Sequence, residues 1–261
     1  MVLSPDVVDA YLARLGWETP TRPEPSFDSL RRLHLAHLQA VPFEDLSIHV
    51  GEPIVLDVGA LVDKVVRRRR GGFCYELNGA FAGLLEALSF EVTMLEAGVV
   101  FDGGKEGPPF DHMTLRVDID GASWLADVGF GACFFVPLPL DDRTDHDDPG
   151  GVFRISARGD GELELSKNGV SEYRFRPGPH VLADYEAMCR FHQTSPESHF
   201  THNSLCSLPL DGGHGRVSMR YRTLIITRDG ERTEQELTTD DEVRHAYLKW
   251  FGIELDALPP R

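Results

Sequence analysis

The ten residues 70–79 read RGGFCYELNG, and they decide more about this chain than any other stretch. Cys74 follows two glycines and opens an apolar segment that is typical of a helix. The positive end of a helix and nearby cations both stabilise a thiolate, and the basic run Arg67–Arg70 stands directly upstream. Cys74 is therefore a candidate nucleophile, although a lone cysteine is also common as a small buried core residue.

The overall composition is that of an ordinary soluble protein. The chain has 261 residues, of which 41% are hydrophobic and 26% charged, so it can bury a core in one elaborated domain or two small ones. The net charge of −16 argues against general nucleic-acid binding, which needs a basic face. The densest basic patch, Arg67–Arg70, is either a local site for an anionic small molecule or the solvated end of a helix.

The cysteines and the first residues bear on the location of the protein. The chain is long for a disulfide-stapled scaffold, and its opening residues MVLSPD contain neither a basic region nor an apolar run. No stretch approaches the roughly 20 apolar residues that a membrane-spanning helix requires. We therefore expect a cytoplasmic protein with free thiols and no membrane association.

The first 89 residues are predicted to be helical. Ser4 and Pro5 are typical of a helix start, and Gly16 is typical of a helix end. A second helix is expected over about residues 28–40, where leucines recur on one stripe. A third helix can be capped by Asp57, and a fourth begins at the candidate nucleophile.

From residue 90 onward, apolar and polar residues alternate, which predicts strands. The segments that alternate are 92–100, 112–119, 123–130, 152–157, 162–166, 172–175, 216–221, 223–227 and 231–237. Short strands at close spacing indicate a small barrel or closed sheet. We expect a mobile acidic loop at residues 141–151, a loop-rich stretch at 177–210, and a last helix from Asp240 to Gly252.

A thiolate nucleophile needs a base, and the base needs a group that orients it. His112 stands at the start of one predicted strand, and Asp127 lies in the apolar run of the next, where an unpaired carboxylate would be costly. An Asp-Gly turn dipeptide separates these two strands. A hairpin folded there pairs residues 112–114 with about 127–129, which predicts a contact between His112 and Asp127. Such a contact is either catalytic or purely structural.

Histidines elsewhere in the chain raise the alternative of a metal site. Five candidate ligands lie close together in sequence: Cys189, His192, His199, His202 and Cys206. Their Cys-x2-His and His-x2-His spacings can bind zinc. The spacing matches no sharp zinc-finger pattern, so no metal is expected. His34 and His37 are three apart on a predicted helix, and we expect them to be partly exposed or satisfied within the core.

Five stretches of the chain resemble, in the right order, motifs of the arylamine N-acetyltransferase family. They are VPFEDL (41–46), RGGFCYELN (70–78), DHM (111–113), DVGFG (127–131) and TSPESHF (194–200). The first departs from the family pattern, because Asp45 stands where Asn is usual. The last motif, TSPESHF, lies within the possible metal cluster, so its resemblance explains the histidines there without a zinc site. The resemblance spans nearly the whole chain.

The resemblance implies a catalytic triad of Cys74, His112 and Asp127. It implies an acetyltransferase that takes the acetyl group from acetyl-CoA, or from a related acyl-CoA, and passes it through an acyl-cysteine to an arylamine, arylhydrazine or arylhydroxylamine. No metal is implied. Flat apolar faces and a close backbone approach suggest the candidate substrate-binding residues Phe43, Gly129, Phe130 and Phe200.

The resemblance also implies an α+β fold with a cysteine-protease-like core. A helical bundle over residues 1–89 would carry the cysteine, and a β-barrel over residues 90–190 would carry the histidine and the aspartate. Residues 191–261 would form an interdomain segment and a C-terminal α/β lid. An ion pair between Glu44 and Arg70 is a further implication of the resemblance.

Enzymes of other classes share the Cys–His–Asp order. Papain-like proteases and transglutaminases use it, and so does an amide synthase that closes a macrolactam in ansamycin-type polyketide biosynthesis. That amide synthase resembles this family but takes its acyl group from a carrier protein. Residue types near Cys74 do not separate it from an N-acetyltransferase. A zinc-binding module without enzymatic activity is the remaining alternative.

Overall fold

The computed structural model describes residues 3–19 and 21–259, and most of its helices lie in the first third of the chain. The α-helices are α1 (Pro5–Arg14), α2 (Phe27–Ala40), α3 (Leu46–His49), α4 (Val58–Val66), α5 (Cys74–Ala87), α6 (Glu186–Thr194) and α7 (Asp240–Phe251). The Asp57 carboxylate accepts the amide of Ala60 at the start of α4, as its predicted capping role requires. The predicted early helices, the helix start at Cys74 and the last helix are confirmed.

The middle of the chain forms a nine-stranded, nearly closed β-barrel sheet. Its strands are β2 (Glu91–Phe101), β3 (Lys105–Glu106), β4 (His112–Ile119), β5 (Ala122–Ala126), β6 (Leu138–Pro139), β7 (His146–Asp148), β8 (Gly151–Ala157), β9 (Leu163–Lys167) and β10 (Val170–Phe175). The order is β6-β5-β4-β2-β10-β9-β8-β7, with β3 beside β2. The Asp148 carboxylate on the edge strand β7 accepts the amides of Phe135 and Val136, so it links β7 to the segment that leads into the other edge strand, β6.

A second, five-stranded sheet combines distant parts of the chain. Its strands are β1 (Phe43–Glu44), β11 (Leu205–Leu210), β12 (Gly215–Arg220), β13 (Thr223–Arg228) and β14 (Glu231–Glu236), in that spatial order. Helix α7 packs on this sheet through Val243, Tyr247 and Phe251. Strand β1 comes from the predicted helical region, so this sheet crosses the predicted boundary at residue 89. The three domain ranges themselves stay predictions.

Helix α5 lies at the centre of the molecule. Every residue from Cys74 to Leu85 is buried, and the helix contacts α1, α4, β2 and β4. A helix that is buried on all sides must be enclosed by other elements, and α5 is enclosed by helices on one side and the barrel on the other. The residue that opens α5 therefore lies where these layers meet.

Three predictions of local structure are wrong. Residues 177–210 are not mainly loop, because they contain α6 and β11, and residues 141–151 contain the paired strand β7. The strand predicted over 123–130 ends at Ala126, since Asp127 and Gly129 turn the chain away through a side-chain to backbone hydrogen bond. In the first two cases the sequence lacks a clear period, so it does not reveal the elements, and in the third the alternation of apolar and polar residues continues past the last paired residue.

Two expectations about cysteines and membranes can be compared with the structure. The four cysteines are free, as predicted, and all four are buried. Within residues 3–19 and 21–259, none of the helices has the length and apolar character needed to cross a membrane.

Candidate active site

A glycine pair lets the chain enter helix α5. A Cβ on Gly71 would lie 1.9 Å from the carbonyl oxygen of Pro42, and a Cβ on Gly72 would lie 2.6 Å from Cβ of Glu76. The amide of Glu44 donates to the carbonyl of Gly72 at 2.9 Å. Only glycine permits such a close approach of two backbones. The glycines therefore hold the entry segment directly against the VPFEDL stretch.

Cys74 is the first residue of α5, at the positive end of the helix dipole. The Glu76 carboxylate accepts the amide of Phe73 at 3.2 Å and closes the first turn. The thiol is buried in an apolar cluster with Tyr75, Met113 and their neighbours. The structure thus confirms that the candidate nucleophile stands at a helix start.

His112 and Asp127 are in direct contact, as the hairpin argument predicts. His112 is the first residue of β4, and Asp127 follows the last residue of β5. Nε2 of His112 lies 2.7 Å from Oδ2 of Asp127, and both side chains are buried. The register that pairs Leu115 with Ala126 brings the two residues to the same end of the hairpin.

The Asp127 carboxylate is held on both oxygens. Its Oδ1 accepts the amide of Gly129 and the side-chain amide of Asn78, each at 2.9 Å. Burial opposes ionisation, but the charge of His112 and these hydrogen bonds outweigh it, so the pKa of Asp127 lies below its usual value. The ionised carboxylate can therefore orient the imidazole of His112 and stabilise its protonated form.

Asn78 is a site residue that the sequence argument included in a motif but gave no role. Its Nδ2 also donates to the carbonyl of Met113 at 2.6 Å, and its Oδ1 accepts the amide of Val128 at 2.9 Å. Residues four apart share one face of a helix, so the spacing from Cys74 was the available signal. Asn78 joins the nucleophile helix to both strands of the His–Asp hairpin.

Burial is the main influence on the ionisation of Cys74. It raises the pKa of the thiol well above its usual value, the charge of Asp111 raises it further, and the amide of Met113 lowers it. The thiol therefore needs a base close by. Since Nε2 of His112 is bound to Asp127, Nδ1 is the ring nitrogen left to take the proton.

The basic run upstream of Cys74 belongs to the fold. Arg70 is buried and makes two hydrogen bonds to the carboxylate of Glu44, at 2.9 and 3.0 Å, which confirms the implied pair. The next pairs in the run are Arg67 with Asp63 and Arg68 with Glu52. These contacts favour the structural interpretation of the run over an anion site.

Asp45, where the family usually has Asn, is also buried and bonded. Its Oδ1 accepts the amide of Leu205 at 2.7 Å, which ties the VPFEDL stretch to β11. The same oxygen lies 3.7 Å from Nε2 of His49 on α3. A carboxylate here therefore keeps the backbone contact that an amide oxygen could make, and it adds a charge partner for His49.

A cleft of about 450 Å³ opens between the barrel and the five-stranded sheet. Phe43 and Phe130 line it, and Phe130 meets the ring of His112 edge-on at 5.2 Å between centroids. The opposite wall contains three arginines, Arg216, Arg220 and Arg232. The cleft therefore has a cationic wall on one side and, on the other, the ring of Phe130, which separates it from His112.

Two further candidate substrate-binding residues lie beside this cleft. A Cβ on Gly129 would lie 2.8 Å from Cα of Cys74, so Gly129 packs directly on the first turn of α5. Phe200 contacts Phe73 edge-on at 5.4 Å and lies 6.4 Å from Phe43. The substrate-binding roles of Phe43, Gly129, Phe130 and Phe200 stay predictions.

The histidines of the possible metal cluster are used in other ways. Nε2 of His192 lies 3.3 Å from Oδ1 of Asp111, and its Nδ1 lies 3.0 Å from the hydroxyl of Ser198. That hydroxyl accepts the amide of Phe200 at 3.3 Å. Across residues 3–19 and 21–259, no group of three or more His, Cys, Asp or Glu side chains is placed to hold a metal.

Comparison with known proteins agrees with this geometry. A family model described as N-acetyltransferase matches residues 26–258. The chain is 30% identical to arylamine N-acetyltransferase 2 of Mus musculus, covering 95% of this chain and 94% of the relative. It is 31% identical to the arylamine N-acetyltransferase of Escherichia coli, covering 96% and 90%.

Solved structures give the same result. The arylamine N-acetyltransferase of Salmonella typhimurium is 30% identical with a TM-score of 0.86, covering 97% of this chain and 92% of that one. The Mycobacterium marinum enzyme, solved in complex with CoA, is 31% identical with a TM-score of 0.83, covering 94% and 92%. With a helix-start cysteine beside a buried His–Asp pair and matches over nearly its full length, the chain belongs to the arylamine N-acetyltransferase family, a family of acyltransferases.

Proposed function

We propose that this protein transfers an acetyl group from acetyl-CoA to an arylamine, arylhydrazine or arylhydroxylamine by a ping-pong mechanism through Cys74. The observation that carries the proposal is the 2.7 Å contact between His112 and Asp127 beside the start of α5. Family membership supports acetyl-CoA as the donor, and so does the CoA complex of the M. marinum relative.

The first half-reaction acylates the cysteine. Nδ1 of His112 takes the thiol proton of Cys74, and the carboxylate of Asp127 stabilises the imidazolium that forms. The thiolate sulfur attacks the thioester carbonyl, while backbone N–H groups near Cys74 stabilise the negative oxygen. The C–S bond to CoA then breaks, and the imidazolium returns the proton to the departing CoA sulfur. The product is acetyl-Cys74 with neutral His112.

The second half-reaction transfers the acetyl group to nitrogen. A neutral aromatic amine attacks the acetyl carbonyl, and His112 takes the proton that the nitrogen loses. The C–S bond to Cys74 breaks, and the proton passes back to the sulfur. Weakly basic aromatic amines suit this step because they are unprotonated at neutral pH.

The cleft between the two sheets is the proposed path for the donor. Its aromatic residues Phe43 and Phe130 would contact the apolar arm, and its arginines would contact the phosphates. In this proposal the five-stranded sheet and α7 act as the lid. The helix that presents the cysteine to the His–Asp hairpin corresponds to the cysteine-protease-like core.

Mass spectrometry of the intact protein tests the mechanism most directly. After brief incubation with acetyl-CoA and no amine, we expect one acetyl group on the protein, discharged when an arylamine is added. The variant Cys74→Ala should fold and stay unmodified. Asp127→Asn should fold but become acetylated far more slowly, since it cannot stabilise the imidazolium.

Three kinds of outcome would change the assignment. Acetylation or turnover retained in Cys74→Ala would overturn the role of the cysteine. If the parent takes no acetyl group while Cys74 remains readily alkylated, the donor is carrier-bound or longer, as in the amide-synthase alternative. Peptide cleavage or transfer from a glutamine donor would instead indicate the protease or transglutaminase class.

A further inference from the structure

Two histidines on helix α2 are buried in different surroundings. His34 and His37 are fully buried and hydrogen-bonded, so of the two environments expected from the sequence the structure shows the core one. Nε2 of His37 lies 2.9 Å from the hydroxyl of Tyr11, within the helical layer. His34 instead faces the barrel, where its ring contacts the backbone of Asp127 and Phe135. The two residues thus provide a natural comparison.

The ring of His34 holds both ends of one loop. Its Nδ1 lies 3.1 Å from the carbonyl oxygen of Phe135, and its Nε2 lies 3.1 Å from both the backbone nitrogen and the carbonyl oxygen of Asp127. The ring also stacks on Phe134, with 5.5 Å between centroids and 4° between planes. Loop 127–135, defined by these two ends, leaves the barrel directly after β5.

These partners favour one of the two neutral forms of the ring. The form protonated on Nδ1 donates to the carbonyl of Phe135 and accepts the backbone N–H of Asp127 at Nε2, so it satisfies two backbone groups. The form protonated on Nε2 would satisfy only the carbonyl of Asp127. Burial also lowers the pKa of His34, which favours the neutral ring that this arrangement requires. His34 therefore acts as one donor and one acceptor.

Loop 127–135 contains three residues of the site whose positions relative to His112 and Cys74 must be maintained. Asp127 at its start contacts His112, Gly129 packs on Cys74, and Phe130 lines the cleft. The side chain of Asp127 is bound through its own oxygens, but its main chain is held by the ring of His34. A shift of this backbone would move Oδ2 relative to Nε2 of His112.

We propose that His34 is a positioning residue for the triad. It fixes the main chain of Asp127 so that the carboxylate stays within reach of His112, and it pins the far end of the loop at Phe135. This role rests on the proposed function of Asp127. It predicts that the acceptor nitrogen of His34 matters for the chemistry, and not merely the volume of the ring.

Four variants separate the two contacts of His34 from its contribution to stability. His34→Gln keeps an acceptor near the position of Nε2, and His34→Asn keeps a donor near the position of Nδ1. His34→Leu keeps neither. The matched control is His37→Leu, which removes an equally buried histidine from the same helix without touching loop 127–135.

The first measurement is the pH dependence of Cys74 alkylation by iodoacetamide, followed by peptide mapping, which needs no substrate. Formation of the thiolate depends on His112 taking the proton, and Asp127 stabilises that state. We therefore expect the inflection to move to higher pH in His34→Leu and His34→Asn, as in Asp127→Asn. His34→Gln should stay close to the parent. His37→Leu should lower the melting temperature and leave the inflection unchanged.

The second measurement is the rate constant for acetylation of Cys74 at saturating acetyl-CoA. A misplaced catalytic group costs on the order of 100-fold, which is the loss expected for His34→Leu and His34→Asn. Parent-like alkylation and acetylation in folded His34→Leu would overturn the proposal, and so would equal effects in His37→Leu. An unchanged inflection in Asp127→Asn would instead overturn the triad assignment, and this role of His34 with it.

Discussion

Gly129 lies where the loop after Asp127 crosses the first turn of the nucleophile helix. An added Cβ would approach Cα and the carbonyl oxygen of Cys74 at 2.8 and 2.9 Å, and Nδ2 of Asn78 at 2.7 Å. Two of these neighbours are backbone atoms of a buried helix, so they cannot move aside cheaply. The distance between the aspartate loop and the cysteine is therefore set by the absence of one methyl group.

Gly129→Ala should separate these two segments. We expect a loss of about 1–3 kcal/mol in the free energy of unfolding, the usual cost of overpacking, together with slower acetylation of Cys74. Denaturant unfolding and intact mass after acetyl-CoA treatment measure the two effects. The control is Gly159→Ala, whose Cβ would meet nothing within 4 Å. Equal behaviour of the two variants would contradict the packing argument.

The pair Asp45–His49 makes stability depend on pH. The carboxylate of Asp45 raises the pKa of His49 above its usual value of 6.5. A group whose pKa is raised by folding stabilises the native state below its unfolded pKa, and this stabilisation disappears as pH rises through the folded pKa. The contribution of His49 should therefore be present at and just below pH 6.5 and be lost as pH rises through the raised folded pKa. Burial raises the pKa of Asp45, so the pair also weakens at acid pH, where this carboxylate takes up a proton.

Asp45→Asn tests this dependence and restores the residue that is usual in the family. The variant keeps an oxygen for the amide of Leu205 but removes the charge partner of His49. We expect the parent to lose stability from pH 6.5 upward more steeply than the variant does. Urea unfolding at a series of pH values measures both slopes, and parallel slopes would show that the pair has no such role.

At the scale of elements, four charged side chains are buried between α4, β1 and the start of α5. Lys64 donates to the carboxylate of Glu76 at 2.6 Å, and Arg70 is bound to Glu44. Burial alone would raise the pKa of Glu44, but the charges of Lys64 and Arg70 hold it below its usual value. These pairs connect the elements on either side of the glycine pair.

Arg70→Met should be strongly destabilising. It leaves the carboxylate of Glu44 buried without its main partner, and breaking a buried pair in this way costs about 3–5 kcal/mol. Arg67→Met is the control from the same run, because its exposed pair with Asp63 is worth only about 0–1 kcal/mol. Thermal unfolding of both variants measures the difference. Similar melting temperatures would show that the arginines of the run are equivalent.

The predictable parts of the fold depend on neighbours in sequence. The His112–Asp127 contact follows from a short hairpin with a recognisable turn, and the Cys74 helix follows from glycines, apolar spacing and the family motif. Two other contacts join residues far apart in sequence. They are the pairing of β1 with β11 and the hydrogen bonds of His34 to the two ends of loop 127–135. Two-residue strands and buried histidines give no periodic signal, so single-sequence reasoning could not find these contacts.

At the scale of the whole molecule, the charge is distributed unevenly. The net charge is −16, yet the cleft beside Phe130, whose ring contacts His112, contains three arginines. Arg216 bonds to the hydroxyl of Ser207 and the carbonyl of Gly131, and within residues 3–19 and 21–259 no carboxylate forms an ion pair with it. An acidic surface with a local cationic wall can favour a polyanionic donor at one place only.

Arg216→Met should weaken donor binding without altering the thiol. Removing a charged hydrogen-bond donor from a phosphate site should raise KM for acetyl-CoA about tenfold, with less effect at high salt. Alkylation of Cys74 should be unchanged. The control is Arg158→Met, which removes the same charge from a surface pair with Glu164. Equal KM values in both variants would exclude the cationic wall from donor binding.

The pairing of β1 with β11 also has a consequence for synthesis on the ribosome. The backbone of Asp45 bonds to that of Leu205, a residue 160 positions later in the chain. The cysteine helix leaves the ribosome early, while the strand that completes its neighbouring sheet is translated late. A nascent chain therefore has its nucleophile long before it has the second wall of its cleft. Under the proposed mechanism, acetyl transfer would therefore begin only when translation of the chain is nearly finished.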